Sequence, residues 1–596
     1  MSMTTKPNII TANGKEIKFY KYFAIDSESL KYKDGNEEIQ KFFNYDLYDG
    51  NDHYYSEQLE NLEITIYQLL RKYEKITIFD HNWKYDLKIL QLLDKIIQQN
   101  YLGMNRQTLF LDNIIYIKFT SPNNKFVLQL IDSTNYFKTS LASLAKMFKL
   151  EKYAHEEYYY SFDKWNEYIK KNGKELCQKD TEILYKVMNE FLSMSFAFGI
   201  SIAQTSFLTF KKQFLKTQIT YEHNLDDIAL KFYRGAIVYP YTLTTMDYRY
   251  YYDINNLYGY VMRNNKFSIA FRKEIKPTNH IYKMIKSRTY NYLLNVNYSG
   301  NNRSPILEVI NDKRILLNEN NDVWISGAEY IALIDNGFFV KINRILQFHN
   351  AYLFTEFVDY FTKKRNESDN EAHRNFYKLI INSNYGKWSQ HKGHSEIIPF
   401  DELEPIEQFL ILRENAQRVK INDITYSIYD DFVSMTTKGE IKYSPIIAGE
   451  ITAYARIENY NWQKLIGFDN VDYTDTDSFI SKVRLDDKYI SKTELGKVKL
   501  EAKGYFSIHG SKDYEYIDTD GNYHRTLKGV PKSAKMIDSS HYELYKWEKI
   551  KSKHNNEVRI IPYVKEIKRE SYKMNGKIQW KNKEEYIAQT LNMLIA

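Results

Sequence analysis

Two aspartates one residue apart in an apolar, β-prone stretch constrain this chain more than any other feature. Asp475-Thr476-Asp477-Ser478 is preceded by Val471 and Tyr473 and followed by Phe479 and Ile480. The segment therefore reads as the tip of a β-hairpin or the end of a buried strand. In extended backbone alternate side chains share a face, which points Asp475 and Asp477 the same way. Neighbouring carboxylates repel, and burying them is costly unless something positive lies between them. A divalent metal is the usual answer, most strongly two metals with a phosphate. Asp-Thr-Asp is also turn chemistry. The second copy, Asp518-Thr519-Asp520, runs into Gly521-Asn522 and reads as a solvated hairpin turn.

Other acids join the first pair. Phe23–Glu28 reads as a strand with Asp26 and Glu28 on one face. Ile76–Phe79 is a second apolar strand, with Asp80 or Asn82 able to cap the helix that follows and Asp86 near its first turns. Asp180 shares a helical face with Leu184, Val187 and Phe191, and an acid at the end of an apolar stripe needs a partner. Asp26, Glu28, Asp86 and Asp180 together suit two divalent metals and a phosphodiester. Asn375–Lys387 reads as a helix stopping near Gly386, with Lys378, Asn382 and Tyr385 in a row on one face. That row offers a cation, an amide and a ring to a nucleoside triphosphate. Asp253 ends a Tyr-rich strand, and a second strand can bring it beside Asp475 and Asp477.

Composition sets wider bounds. A chain of 596 residues suggests roughly three or four domains. One cysteine, Cys177, excludes an intramolecular disulfide and a cysteine-rich zinc site, and it fits a reducing compartment. No run of about 18 apolar residues predicts a membrane span, and the first residues carry no apolar run of a secretory signal. A net charge of +7 permits a basic channel for a polyanion without demanding one. The 54 tyrosines can stack on bases, although an AT-rich gene would enrich them too. His391 and His394 read as loop residues rather than metal ligands, because no further ligands lie near them.

Taken together, these motifs resemble family B DNA polymerases, in particular the protein-primed branch of small linear-genome phages and linear plasmids. Asp253–Tyr258 resembles the motif with a metal aspartate and a tyrosine gate against ribonucleotides. Lys378–Gly386 resembles the nucleotide-binding motif, and Tyr473–Ser478 the catalytic hairpin. Lys512 and Tyr514 fit a Lys-x-Tyr primer motif, and Tyr233-Arg234-Gly235-Ala236 resembles the linker that touches the primer strand. Asp26–Glu28, Asn82–Asp86 and Leu176–Asp180 resemble the three motifs of a proofreading exonuclease, with Asn82, Tyr85 and Ser133 against single-stranded DNA and Lys152 assisting.

The resemblance implies an α/β multidomain (α+β) fold: an RNase H-like 3′–5′ exonuclease, then a right-hand polymerase with two insertions. The expected ranges are exonuclease 1–200, palm 201–265, an insertion contacting terminal protein 266–353, fingers 354–392, a strand-displacement and processivity insertion 393–432, palm 433–550 and thumb 551–596. Asp253, Asp475 and Asp477 are the expected polymerase acids and metal ligands. Asp26, Glu28 and Asp180 are the expected exonuclease ligands, with Asp86 catalytic beside them. Ile254, Tyr258, Lys364, Arg365, Lys378, Asn382 and Tyr385 are expected to contact the nucleotide. Tyr233, Gly235, Thr476, Lys512 and Tyr514 are expected to contact DNA. Two Mg²⁺ per site, replaceable by Mn²⁺, are the implied cofactors. Implied partners are primer-template DNA, dNTPs, a terminal protein and a single-stranded DNA-binding protein. A monomer is expected, in host cytoplasm if viral or in a mitochondrion if plasmid-borne.

The sequence departs from the family pattern in several places. Asn256 stands for Ser, Gly259 for Pro, Ala236 for the second linker Gly and Thr134 for Leu. Leu176 stands for the Tyr that positions water, which implies weaker proofreading. Two alternatives are a family B enzyme using nucleic-acid primers and an exonuclease with a silent polymerase domain. A non-catalytic scaffold would bind primed DNA in a salt-dependent way without chemistry.

Overall fold

The computed structural model describes residues 8–579 apart from 11–15, 35–36, 98–99, 111–114, 153–160, 195, 311–312, 317–318, 415–417, 422–423, 430–431, 531–533, 539–540, 550–556, 567–571 and 575–576. Much of the expected thumb range 551–596 lies outside the described residues.

The first sheet is centred on strands Lys21–Asp34, Lys75–Asp80 and Val127–Asp132, which run parallel. Ile76–Phe79 and Val127–Ile131 are buried throughout and apolar except at Thr77 and Gln129, where Thr77 donates to Gln129, the pattern of strands covered on both faces. Antiparallel strands extend the sheet on either side. Helix Phe162–Ser193 lies against Lys21–Asp34 and Glu37–Tyr48, burying Ile169, Leu184, Val187 and Phe191 in one stripe. At the far edge, Glu557–Glu566 pairs antiparallel with Glu37–Tyr48 and carries His541–Lys549 and Lys535–Met536 with it. Lys535–Met536 and His541–Lys549 therefore extend this first sheet, although the range expected for the palm ran to 550. The open edge of Glu37–Tyr48 needs a pairing partner.

The second sheet is antiparallel, in the order Val238–Pro240, Val471–Asp475, Ser478–Ser481, Thr244–Ile254, Val498–Gly510, Asp513–Asp518 and Tyr523–Leu527. Helix Pro445–Ile466 backs its hairpin. Between the strands Thr244–Ile254 and Val471–Asp475 the chain builds three further units. Strands Phe267–Ile275, Phe339–Ala351, Asn291–Ser299 and Glu319–Ser326 form a four-stranded sheet. Helices Thr355–Glu367 and Glu371–Ser383 pack as a pair, the second capped by Asn370. Strands His391–Pro399, Phe432–Ile441, Ile424–Tyr429 and Arg418–Ile421 form another sheet. His391 and His394 are thus strand residues, opposite Ile441 and Thr437, rather than loop residues. Pairing with Phe432–Ile441 overrides the weak local preference, and it carries this sheet to Ile441, past the expected edge at 432.

The largest apolar cluster joins these units. It contains Ile131, Leu184 and Phe191, then Tyr252, Ile254 and Phe479, then Phe361, Phe376 and Ile380. Two ionisable groups of helix Pro445–Ile466, Arg456 and Glu450, are buried with partners. The Arg456 guanidinium meets Glu329 at 2.6 Å with both side chains 0% exposed, and it also donates to the carbonyls of Arg234 and Gly235. Glu450 accepts from the Ser268 backbone and hydroxyl and from Asn291. Among the described residues no helix is long and apolar enough to cross a membrane.

Two candidate carboxylate sites

The Asp475–Ser478 motif is a hairpin tip. Asp475 pairs with Ser478, leaving Thr476 and Asp477 as the turn. The two acids converge because the chain reverses between them, rather than because extended backbone alternates. Thr476 has φ +59°, a conformation that is strained for a β-branched residue. Three contacts hold it there. Its N–H donates to Ile237 O at 2.8 Å, its hydroxyl donates to Asp475 Oδ1 at 3.0 Å, and Asn459 donates to its carbonyl at 2.9 Å.

Strand Thr244–Ile254 lies beside this hairpin, with Asp253 opposite Ser478 and Ile254 N–H donating to Asp477 O at 2.6 Å. Burial and the Asp477 charge push the Asp253 carboxyl up to about 7, against Lys378 and Lys499. Burial, then Asp475, raises Asp477 against Lys378 and Lys512. Lys512 reaches Asp475 Oδ2 at 3.0 Å, and its N–H donates to the Tyr473 hydroxyl. Tyr514 packs on Tyr473 at 5.3 Å between centroids. Tyr258 and Tyr385 stack at 4.2 Å, 15° from parallel. Tyr233 lies close enough to act on Tyr385, and Gly235 is fixed through its carbonyl.

Some expected contacts differ. The Ile254 side chain is in the core, so only its backbone borders the site. Lys364 lies over Tyr360 and Arg365 near Arg374, whereas Lys378 is the cation of the helical pair that bears on both Asp253 and Asp477. Asn382 Oδ1 is buried without a partner among the described residues. The departures at Asn256 and Gly259 belong together. A Cβ at Gly259 would lie 2.5 Å from Asn256 Nδ2. The copy at Asp518–Asp520 is the exposed turn expected, with Asp518 lowered to about 2 by His524 and the Asn522 N–H.

The second site lies at the ends of the parallel strands. Asp26, Glu28, Asp86 and Asp180 meet there. Burial, then Asp180, raises both Asp26 and Glu28 well above the carboxylate range, and Lys152 opposes this. Lys152 forms an ion pair with Asp180, and Ser27 donates to Asp86, whose carboxyl is pushed up to about 7 by burial. Tyr85 bonds Ser29 and Gln40. Ser133 is 0% exposed and is engaged by His81 at 2.7 Å, so its hydroxyl faces inward. Neither Asn82 nor Asp80 caps helix Trp83–Ile89 through its side chain. Asp132 accepts from Trp83 and Asn82 N–H instead, from a strand that no local signal connects to this helix. Sequence reasoning also missed Asp80 as a site residue. Its oxygens lie within 4.8 Å of those of Asp26 and Asp86, and its place before a helix disguised it as a cap.

A mixed α/β architecture with separate carboxylate centres on two sheets is the class that fold and geometry define. The chain belongs to the family described as DNA polymerase type B, organellar and viral, whose model matches residues 149–465. It is 22% identical over 503 residues to a probable DNA polymerase of Neurospora intermedia, covering 73% of this chain and 50% of that protein. It is 26% identical over 356 residues to the DNA-directed DNA polymerase of Enterobacteria phage PRD1, covering 55% of this chain and 59% of that one. The chain thus spans about half the length of the curated relatives it matches. In fold it resembles Phi29 DNA polymerase complexed with primer-template DNA and incoming nucleotides, with TM-score 0.66, 16% identity, and 92% of this chain and 100% of that chain covered.

Proposed function

We propose that this chain is a DNA-directed DNA polymerase with a 3′–5′ proofreading exonuclease. One observation carries the reading: Asp253 on its strand, Asp477 at the neighbouring hairpin tip and Lys378 on helix Glu371–Ser383 act on one another. Its ligands are read from the Phi29 structures, which hold primer-template DNA with nucleotides in one case and single-stranded DNA in another. In this reading the seven-stranded sheet is the palm, the helical pair the fingers, and the first sheet the RNase H-like exonuclease.

Mutually repelling, buried carboxylates fit divalent cations. Asp253, Asp475 and Asp477 would hold them in the palm, and Asp26, Glu28 and Asp180 in the first sheet. Mg²⁺, or Mn²⁺ in its place, lowers the pKa of an attacking hydroxyl or water and steadies phosphoryl charge. Lys378 neutralises triphosphate charge as it develops. Tyr258, braced by Tyr385, closes the space a 2′-hydroxyl would need. Lys512 and Tyr514 hold the primer strand, with Tyr233, Gly235 and Thr476 beside it. Lys152 orients Asp180 in the exonuclease, where Asn82 and Tyr85 flank the frayed strand.

Protein-primed initiation is the finer proposal. The four-stranded sheet within 266–353 takes a terminal protein, and the second inserted sheet supports strand displacement. A single-stranded DNA-binding protein is a further proposed partner. Phage and fungal relatives support a viral cytoplasmic or plasmid-borne mitochondrial setting.

An end-labelled primer on a longer template tests the reading, with Mg²⁺ and with or without deoxynucleotides. Asp477→Asn is expected to lose extension by roughly a thousandfold or more while still shortening the primer, and Asp26→Ala to do the reverse. Shortening without extension by the parent chain would leave a nuclease alone. No reaction at all would reduce it to a binding scaffold.

A further inference from the structure

Asp80 has no structural task that accounts for it. Asp132 performs the capping that its position suggests, accepting from Trp83 N–H at 3.1 Å and Asn82 N–H at 3.3 Å. Asp80 is 0% exposed, and neither of its carboxylate oxygens has a hydrogen-bond partner among the described residues. The His81 backbone N–H favours its charged form, but burial and the neighbouring acids outweigh it. An orphaned buried carboxyl is costly, and here it is turned toward other acids, within 4.8 Å of Asp26 and Asp86 oxygens. The positive groups nearby are committed elsewhere. Lys152 pairs with Asp180, and His81 lies between Ser133 Oγ and Thr139 O.

We propose that Asp80 is a cation ligand. With Asp26 and Asp86 it holds a divalent ion beside the one held by Asp26, Glu28 and Asp180, with Asp26 shared. This rests on the reading of the first sheet's acids as a metal site. An all-oxygen donor set suits Mg²⁺ or Mn²⁺. Three protein carboxylates retain that ion before DNA arrives, where fewer would need substrate phosphate to complete the shell.

The test is an Mn²⁺ titration of the full chain without DNA, following the free ion by electron paramagnetic resonance, for the parent, Asp26→Asn and Asp80→Asn. The parent is expected to bind more Mn²⁺ than either variant, with Asp80→Asn weakening one binding event roughly tenfold or more and Asp26→Asn weakening two. The Mn²⁺-induced rise in Tm is expected to shrink in the same order. If Asp80→Asn titrates like the parent while Asp26→Asn loses ions, the metal site stands and the role of Asp80 is overturned. If all three titrate alike, the metal reading of the first sheet falls with it. Anomalous scattering from Mn²⁺-soaked crystals of the parent decides the matter should Asp80→Asn not fold. A peak at bonding distance from Asp80 supports the inference, and peaks at Glu28 and Asp180 alone overturn it.

Discussion

Asn256 adopts φ +48°, a left-handed conformation that Asn tolerates better than Ser does, and its amide fills the space above Gly259. Gly259→Ala is therefore expected to destabilise the chain by about 1–3 kcal/mol through overpacking, read as a lower Tm. Adding Asn256→Ser should recover part of that loss. Full additivity of the two changes would sink the idea that they compensate. Legibility at this scale followed chemistry. Asp253, Asp475, Asp477, Asp26, Glu28 and Asp180 stood out because acids in apolar runs are costly. Asp80 and Asp132 did not, because capping and metal-binding acids look alike until the partner strand is placed. Asp475 and Asp477 were chosen for the wrong backbone reason, since a strained Thr476 rather than strand alternation brings them together.

Two buried ionisable groups tie helix Pro445–Ile466 to the neighbouring inserted unit. Glu450 is pushed up to about 7 by burial, from an ordinary 4.5. It holds its proton in the folded chain over a range where the unfolded chain has released it. Its stabilising contribution is whole below pH 4.5 and lost as pH rises through 7, on the order of 3 kcal/mol in all. Glu450→Gln should flatten the fall of Tm over that window. It should also start from a lower Tm at pH 5, because an amide nitrogen would face the Ser268 N–H. An unchanged slope would show that other groups set it. The Arg456–Glu329 pair makes a different demand. Arg456→Ala leaves a buried carboxylate alone, and a loss of about 3–5 kcal/mol is expected from chemical denaturation. Arg456→Met with Glu329→Gln should lose less, since Gln can still accept from Ser326 at the helix start. Equal losses would mean that packing rather than charge dominates. Spacing forecast the helix around Asp180 well. It could not forecast the strand at His391, whose pairing partner lies some fifty residues on.

One apolar cluster runs through the first sheet, the seven-stranded sheet and the helical pair. A chain sharing a core in this way should not melt in pieces. Calorimetry is expected to show these three units unfolding in one transition, and removal of residues 1–200 should leave an unfolded or insoluble remainder. A separately folded fragment, or a first transition that abolishes primer shortening and spares extension, would refute this. Approximate unit order was readable from motif order. The closing of the first sheet by strands near the other end of the chain was not, because local pattern cannot say which distant strand meets an open edge.

That closure has a consequence during synthesis. Lys41 pairs with Glu557, so the edge strand leaves the ribosome roughly five hundred residues ahead of its partner. At typical elongation rates the wait is on the order of a minute, with unpaired backbone donors and acceptors open to any passing strand. The nascent chain is thus exposed to mispairing with its neighbours on a polysome until Glu557–Glu566 emerges.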